Sequence, residues 1–150
     1  MPQPLAKILI HLIFSTKNRE RCLTEGIRAD LHSYMGGTFR GLECAPIEIN
    51  SEADHVHALF LLTRTTALSE VIGSLKRSSN DWLRSKDASF AQFYWQAGYG
   101  AFSVSQSSVR DVSEYIRNQH EHHKHVSFQD EFRAFLKRYE VDYDERYVWD

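Results

Sequence analysis

The chain has 150 residues, 42% of them hydrophobic and 13% aromatic, which is enough for one domain with a full core. A formal net charge of -2 argues against a protein that coats nucleic acid through bulk electrostatics, so any phosphate contact has to be local. No apolar run approaches the roughly 18 residues of a membrane-crossing helix, no secretory leader pattern opens the chain, and Cys22 and Cys44 fit neither a disulfide framework nor a zinc finger. The expectation is one cytoplasmic domain over residues 1–150 with free thiols, and no membrane association.

Residues 6–15, Ala-Lys-Ile-Leu-Ile-His-Leu-Ile-Phe-Ser, predict a strand buried on both faces, ended by the polar stretch Thr16 to Arg21. From the N-cap type Thr24, apolar residues recur at Ile27, Leu31, Tyr34, Met35, Phe39 and Leu42, the spacing of an amphipathic helix. Gly36 and Gly37 mark where that helix bends or packs closely. Residues 44–52 alternate apolar and polar, and Pro46 places them on an edge strand or at a strand start.

Asp54 turns the chain into His55-Val56-His57-Ala58-Leu59-Phe60-Leu61-Leu62, a buried strand whose alternation sends His55 and His57 to one face and Val56 to the other. Two imidazoles on one sheet face can hold one metal ion, and their apolar setting asks for such compensation. The alternative is a pair of ordinary sheet histidines. A second helix follows, with Leu68, Val71, Ile72, Leu75, Trp82 and Leu83 inward and Lys76, Arg77, Ser78, Ser79 and Asn80 on its other side.

Residues 93–106 are aromatic and glycine-punctuated and run into a fourth strand near Tyr99–Ser105. Phe93, Tyr94, Trp95, Tyr99 and Phe102 either stack on unpaired bases or belong to the core. Strand, helix, strand, strand, helix, strand is the α+β, ferredoxin-like (βαββαβ) order: helices on one face of an antiparallel sheet, the other face free for a site, and His55 and His57 mid-sheet.

Ser107 or Ser108 opens a third helix with Val109, Val112 and Ile116 as its stripe, and Tyr115 and Gln119 lie one turn apart beside that stripe. A further helix opens at Ser127, with Asp130 in a variant capping box, and buries Phe128, Phe132, Phe135 and Leu136. The tail docks by its aromatics Tyr139, Tyr143, Tyr147 and Trp149. The run His120-Glu-His-His-Lys-His125 is either a zinc site or a solvated helix end whose imidazoles favour the negative pole of the dipole, and the second reading is preferred.

Together these residues carry a resemblance. His55-Val56-His57 with Ala-Leu-Phe-Leu-Leu after it, Gln96-Ala-Gly-Tyr-Gly-Ala-Phe-Ser-Val-Ser105, Tyr115-Ile-Arg-Asn-Gln119 followed by His122-His123, and the opening His11-Leu-Ile-Phe-Ser-Thr-Lys-Asn-Arg19 are similar in kind and order to the single-tyrosine HUH transposases. These are the insertion-sequence TnpA proteins of the IS-two-hundred type and their repeat-associated relatives, and the match runs from about Leu5 to Tyr139.

The resemblance implies an HUH domain that cuts and rejoins single-stranded DNA at hairpin-flanked ends. It further implies His55, His57 and Gln119 as ligands of Mg2+ or Mn2+, Tyr115 as the nucleophile of a 5′-phosphotyrosine intermediate, and a homodimer whose active sites are shared between chains. Lys17, Arg19, Lys76 and Arg77 are the candidate phosphate contacts, weighed against a simple solvated face. The alternatives are a domesticated repeat-processing HUH nuclease and a non-catalytic ferredoxin-like nucleic-acid-binding module.

Overall fold

The computed structural model describes residues 2–150. Its four strands are β1 (Leu9–Ser15), β2 (Pro46–Ser51), β3 (His55–Leu61) and β4 (Gly100–Val104), paired antiparallel throughout in the order β2-β3-β1-β4. The helices are α1 (Glu25–Gly41), α2 (Leu68–Lys86), α3 (Val109–Arg117), α4 (Gln119–His122) and α5 (Phe128–Arg138). This is the expected α+β ferredoxin-like sheet with additional C-terminal helices. β1 and β3 are the two central strands, as the element order requires.

Strand alternation divides the sheet into two different surfaces. The even residues Ile10, Leu12, Phe14, Val56, Ala58 and Phe60 enter the main core with Leu31, Met35 and Phe39 of α1 and Val71, Ile72, Leu75 and Leu83 of α2. The odd residues Leu9, His11, Ile13, His55, His57 and Leu59 face the other way. The β1–β3 register pairs Ile13 with His57 and Ser15 with His55. All seven residues of β1 are buried, so it is covered on both faces as expected.

The expectation of a free second face is corrected by the structure. Ile13 and Phe102 pack under Phe128, Phe132 and Leu136 of α5, and Leu9, Leu59 and Val104 pack under Ile116 of α3. The C-terminal helices therefore roof the face that carries the histidines. An apolar face of this size left open would be a large exposed patch, and the two amphipathic helices remove it.

Local signals hold where backbone chemistry is decisive. Ser127 caps α5 by accepting from the Asp130 amide at 3.1 Å. Thr24 and Ser108 occupy N-cap positions without a side-chain capping bond, and α1 runs unbroken through Gly36 and Gly37. Phe93 and Trp95 are core, whereas Tyr94 and Tyr99 are exposed. In the tail, Trp149 lies near the Phe128 and Phe132 rings and Tyr139 stacks on Phe102 at 4.7 Å, while Tyr143 and Tyr147 remain exposed, so the docking is through two aromatics of the set. Among the described residues no helix is long and apolar enough to cross a membrane.

Candidate metal and tyrosine site

His55 and His57 are 1% and 0% exposed, so their ring nitrogens are desolvated and each has to be satisfied from within the protein. The Nδ1 atoms are held first. His55 Nδ1 lies 2.7 Å from Asp54 Oδ1, and His57 Nδ1 lies 2.8 Å from Nε2 of His11, the buried histidine diagonal to it on β1. Both Nε2 atoms then face the interior of the roof. His57 Nε2 is 2.9 Å and His55 Nε2 3.7 Å from Glu131 Oε1 of α5.

The structure adds His123 to this group, correcting the reading of the His120–His125 run as a solvated helix end. Its ring sits 4.4 Å from that of His55, its Nδ1 is 2.7 Å from the Val126 carbonyl, and its Nε2 is 3.1 Å from Glu131 Oε1. His120, Lys124 and His125 in the same run are exposed, so only part of it is solvated. His55, His57, His123 and Glu131 each offer a donor atom, and these atoms all lie within 4.8 Å of one another.

Tyr115 and Gln119 reach the same place, but not on one continuous helix. α3 ends at Arg117, Asn118 caps it, and Gln119 opens the short α4. Gln119 is fully buried, with Oε1 3.3 Å from His55 Nε2 and Nε2 3.3 Å from the Tyr115 carbonyl. The end of α3 is tied to the sheet edge, where Asn50 of β2 donates to the Ile116 and Arg117 carbonyls at 2.8 and 3.2 Å. The Tyr115 ring lies 5.9 Å from that of His57; its hydroxyl donates to Glu131 Oε2 and lies 3.2 Å from His122 Nε2.

The electrostatics of the site follow from burial and one carboxylate. Burial pushes the Tyr115 phenol up from its ordinary value and the neighbouring Glu131 charge pushes it further, so the phenol is held neutral. Burial alone would raise Glu131, but His57, His123 and His55 outweigh it and keep the carboxyl far below its usual range. Burial lowers His57 and lowers His11 strongly. For His123 burial acts in the same direction, yet the Glu131 carboxylate prevails and raises it.

A cleft of about 880 Å³ opens beside Tyr115 between β4, α3 and α5, lined among others by His11, Ser105, Asp111, Phe135, Arg138 and Tyr139. The candidate basic residues fall into two kinds. Lys17 is exposed with its ammonium 5.7 Å from the Tyr94 ring, and Arg19 stands over Trp149 at 5.6 Å. Arg77 is exposed, whereas the Lys76 ammonium donates to the Gly98 and Ala97 carbonyls at 2.8 and 3.3 Å, and burial lowers it to about 8. Arg84, absent from the sequence-level set, stacks 4.2 Å from the same Tyr94 ring.

Glu131, His123 and His11 are the site residues that sequence reasoning missed. Glu131 had a usable signal: it sits three residues after Phe128 and four before Phe135, a carboxylate inside the apolar stripe of its helix. His11 likewise sits between Leu9 and Ile13 on one strand face. For His123 no local signal separates it from its neighbours.

In fold, the chain is similar to solved transposase structures. One is a candidate transposase from Deinococcus radiodurans R1, with TM-score 0.62 and 22% identity over 79% of this chain and 98% of that one. Another is a REP-associated tyrosine transposase bound to a REP hairpin, with TM-score 0.60 and 14% identity over 84% of this chain and 74% of that one. No curated protein sequence matches this one. The family model described as "Transposase IS200 like" matches residues 5–119, and the chain belongs to that family of transposases.

Proposed function

We propose that this transposase cleaves and rejoins single-stranded DNA at hairpin-flanked ends, with Tyr115 as the nucleophile and a 5′-phosphotyrosine intermediate. The observation that carries the reading is the delivery of Tyr115 to the paired histidines of its own chain, through a helix whose end is anchored on β2 by Asn50. A divalent ion, Mg2+ or Mn2+, would be held by His55 and His57, with Gln119 as the third ligand that the resemblance implies, and would supply Lewis acidity toward the scissile phosphate.

The chain's own groups account for the rest of the step. Tyr115 Oη forms the new bond to phosphorus as the bond from phosphorus to the 3′ oxygen breaks. Glu131 Oε2 accepts a hydrogen bond from the phenol and orients it; the phenol proton leaves to water as the bond to phosphorus forms, and the released 3′ oxygen takes a proton from water. The phosphodiester energy stays in the tyrosine ester, so attack by another 3′-OH reverses the step and no nucleotide triphosphate is required. The cleft beside Tyr115 gives the strand a path, with Phe135 and Tyr139 offering ring faces and Arg138 a charge.

Lys17 and Arg19, at the turn after β1, and Lys76 and Arg77, on α2, are the proposed phosphate contacts, with Lys76 acting from a site already committed to backbone carbonyls. Tyr115 meeting its own histidines supports a site assembled within one chain. In the homodimer implied by the resemblance, α3 would be exchanged between partners.

Incubating a hairpin-bearing single strand with the protein and Mn2+, then denaturing, leaves a covalent protein–DNA adduct. Tyr115→Phe abolishes it; an adduct that persists in Tyr115→Phe refutes the assignment. A repeat-processing role is the second reading, supported by the hairpin-bound REP-associated neighbour, and the hairpin that the protein selects separates the two.

A further inference from the structure

The three imidazoles are not equivalent to histidines that happen to be close. Asp54 and the Val126 carbonyl can only accept, so His55 and His123 both carry a proton on Nδ1, and in the neutral ring each presents an Nε2 lone pair to the centre. There they meet Glu131 Oε1 and Gln119 Oε1, which are also acceptors. His123 is 10% exposed, and its buried Nε2, 3.1 Å from Glu131 Oε1, makes no well-aligned hydrogen bond. Acceptors converging on acceptors in a dry site repel unless positive charge lies between them, as a metal ion or as a second proton on a ring.

The spacing suits such a cation. With bonds of about 2.1 Å, the donors of a four-coordinate ion stand about 3.4 Å apart. Glu131 Oε1 stands 2.9, 3.1 and 3.7 Å from Nε2 of His57, His123 and His55. Each imidazole is also braced through its other nitrogen, by Asp54, His11 and Val126, in the way that outer partners orient metal-bound histidines.

Resting on the reading of His55 and His57 as ligands, we propose that this chain completes its metal site with His123 and Glu131 rather than with Gln119. The set is then three imidazoles and one carboxylate, which takes Mn2+, Co2+ or Zn2+ in preference to Mg2+. Imidazole nitrogen suits the later first-row ions, whereas Mg2+ demands a mainly oxygen, octahedral shell. Such an ion also clips α4 and α5 to the sheet.

The test uses metal binding, independent of DNA cleavage. The full-length protein, stripped of metal, is titrated with Co2+ and followed by its visible absorption, with Zn2+, Mn2+ and Mg2+ compared by calorimetry. One Co2+ binds per chain, and Mg2+ binds at least tenfold more weakly. His123→Ala and Glu131→Gln each weaken Co2+ binding tenfold or more, while Gln119→Ala stays within twofold. His123→Gln, which preserves volume, and metal-free thermal melts of every variant separate ligand loss from misfolding.

If Gln119→Ala weakens Co2+ and the His123 and Glu131 variants do not, the proposed ligand set is wrong, while a Tyr115-dependent adduct still stands. Mg2+ binding as tightly as Co2+ also overturns it. If His57→Ala leaves Co2+ affinity unchanged, the ion is elsewhere and the metal part of the functional reading falls with the inference.

Discussion

Gly100→Ala tests whether the roof over the histidines is a close-packed assembly. Gly100 opens β4 opposite Ile13, and a Cβ there would stand 2.4 Å from Cε2 and 2.9 Å from Cζ of Phe132, and 3.1 Å from Cε2 of Phe102. Carbon atoms rest at about 3.5–4.0 Å, so the Phe132 ring has to retreat by about 1 Å. It has little room, being 2% exposed and set between the rings of Phe128 and Trp149. Overpacking of this kind costs about 1–3 kcal/mol. In a domain of this length that lowers Tm by roughly 2–12 °C.

Urea unfolding reads the loss as a shifted midpoint at unchanged slope. Phe132→Leu removes the two nearest atoms, so the double variant is more stable than the sum of the single losses predicts, by about 1 kcal/mol or more. Additive losses, or a neutral Gly100→Ala, refute the packing argument. Since Glu131 is the residue before Phe132, the single variant also weakens Co2+ binding.

His11→Phe keeps the buried volume but removes the brace on His57 Nδ1, and should weaken Co2+ binding by about 10–100-fold with the far-ultraviolet dichroism unchanged. Unaltered affinity would show that His11 only packs. Burial first, and Arg28 second, lower His32 from 6.5 to about 4. Above pH 6.5 the ring is neutral folded and unfolded; below it the unfolded chain takes up a proton that the folded chain refuses, so stability falls as pH drops toward 4. The loss in urea midpoint between pH 7.5 and 5 should therefore be smaller in His32→Gln, and equal losses would refute the role of this ring.

The sheet was readable because its signals are local and repeated. Val56, Ala58 and Phe60 alternate with His55, His57 and Leu59, and that period names both the strand and the face of the histidines. The place of Tyr115 beside the histidines was readable because the motifs occur in order, although its periodicity suggested a helix continuing through Gln119. Asn118 ends that helix because Asn50, distant in sequence, takes up the terminal carbonyls. His123 was hidden for a similar reason: the chain reversal from α4 to α5 decides which imidazole of the run turns inward. The covered face was the main error of topology, since four strands and two helices fit a one-sided fold until Phe128, Phe132 and Leu136 are given somewhere to go.

The β1–β3 register has a consequence for how this gene tolerates change. A substitution at the site, however damaging to its chemistry, leaves the sheet in register. A one-residue insertion or deletion at the start of β3 is different in kind. It would turn both imidazoles into the layer occupied by Leu12 and Phe14 and send Val56 and Ala58 toward Tyr115. Fold and chemistry would be lost in one event. Length variation among descendants should therefore collect in the turns and stop at the Glu52–Asp54 bend, leaving a block of fixed length that marks the site as clearly as any residue within it.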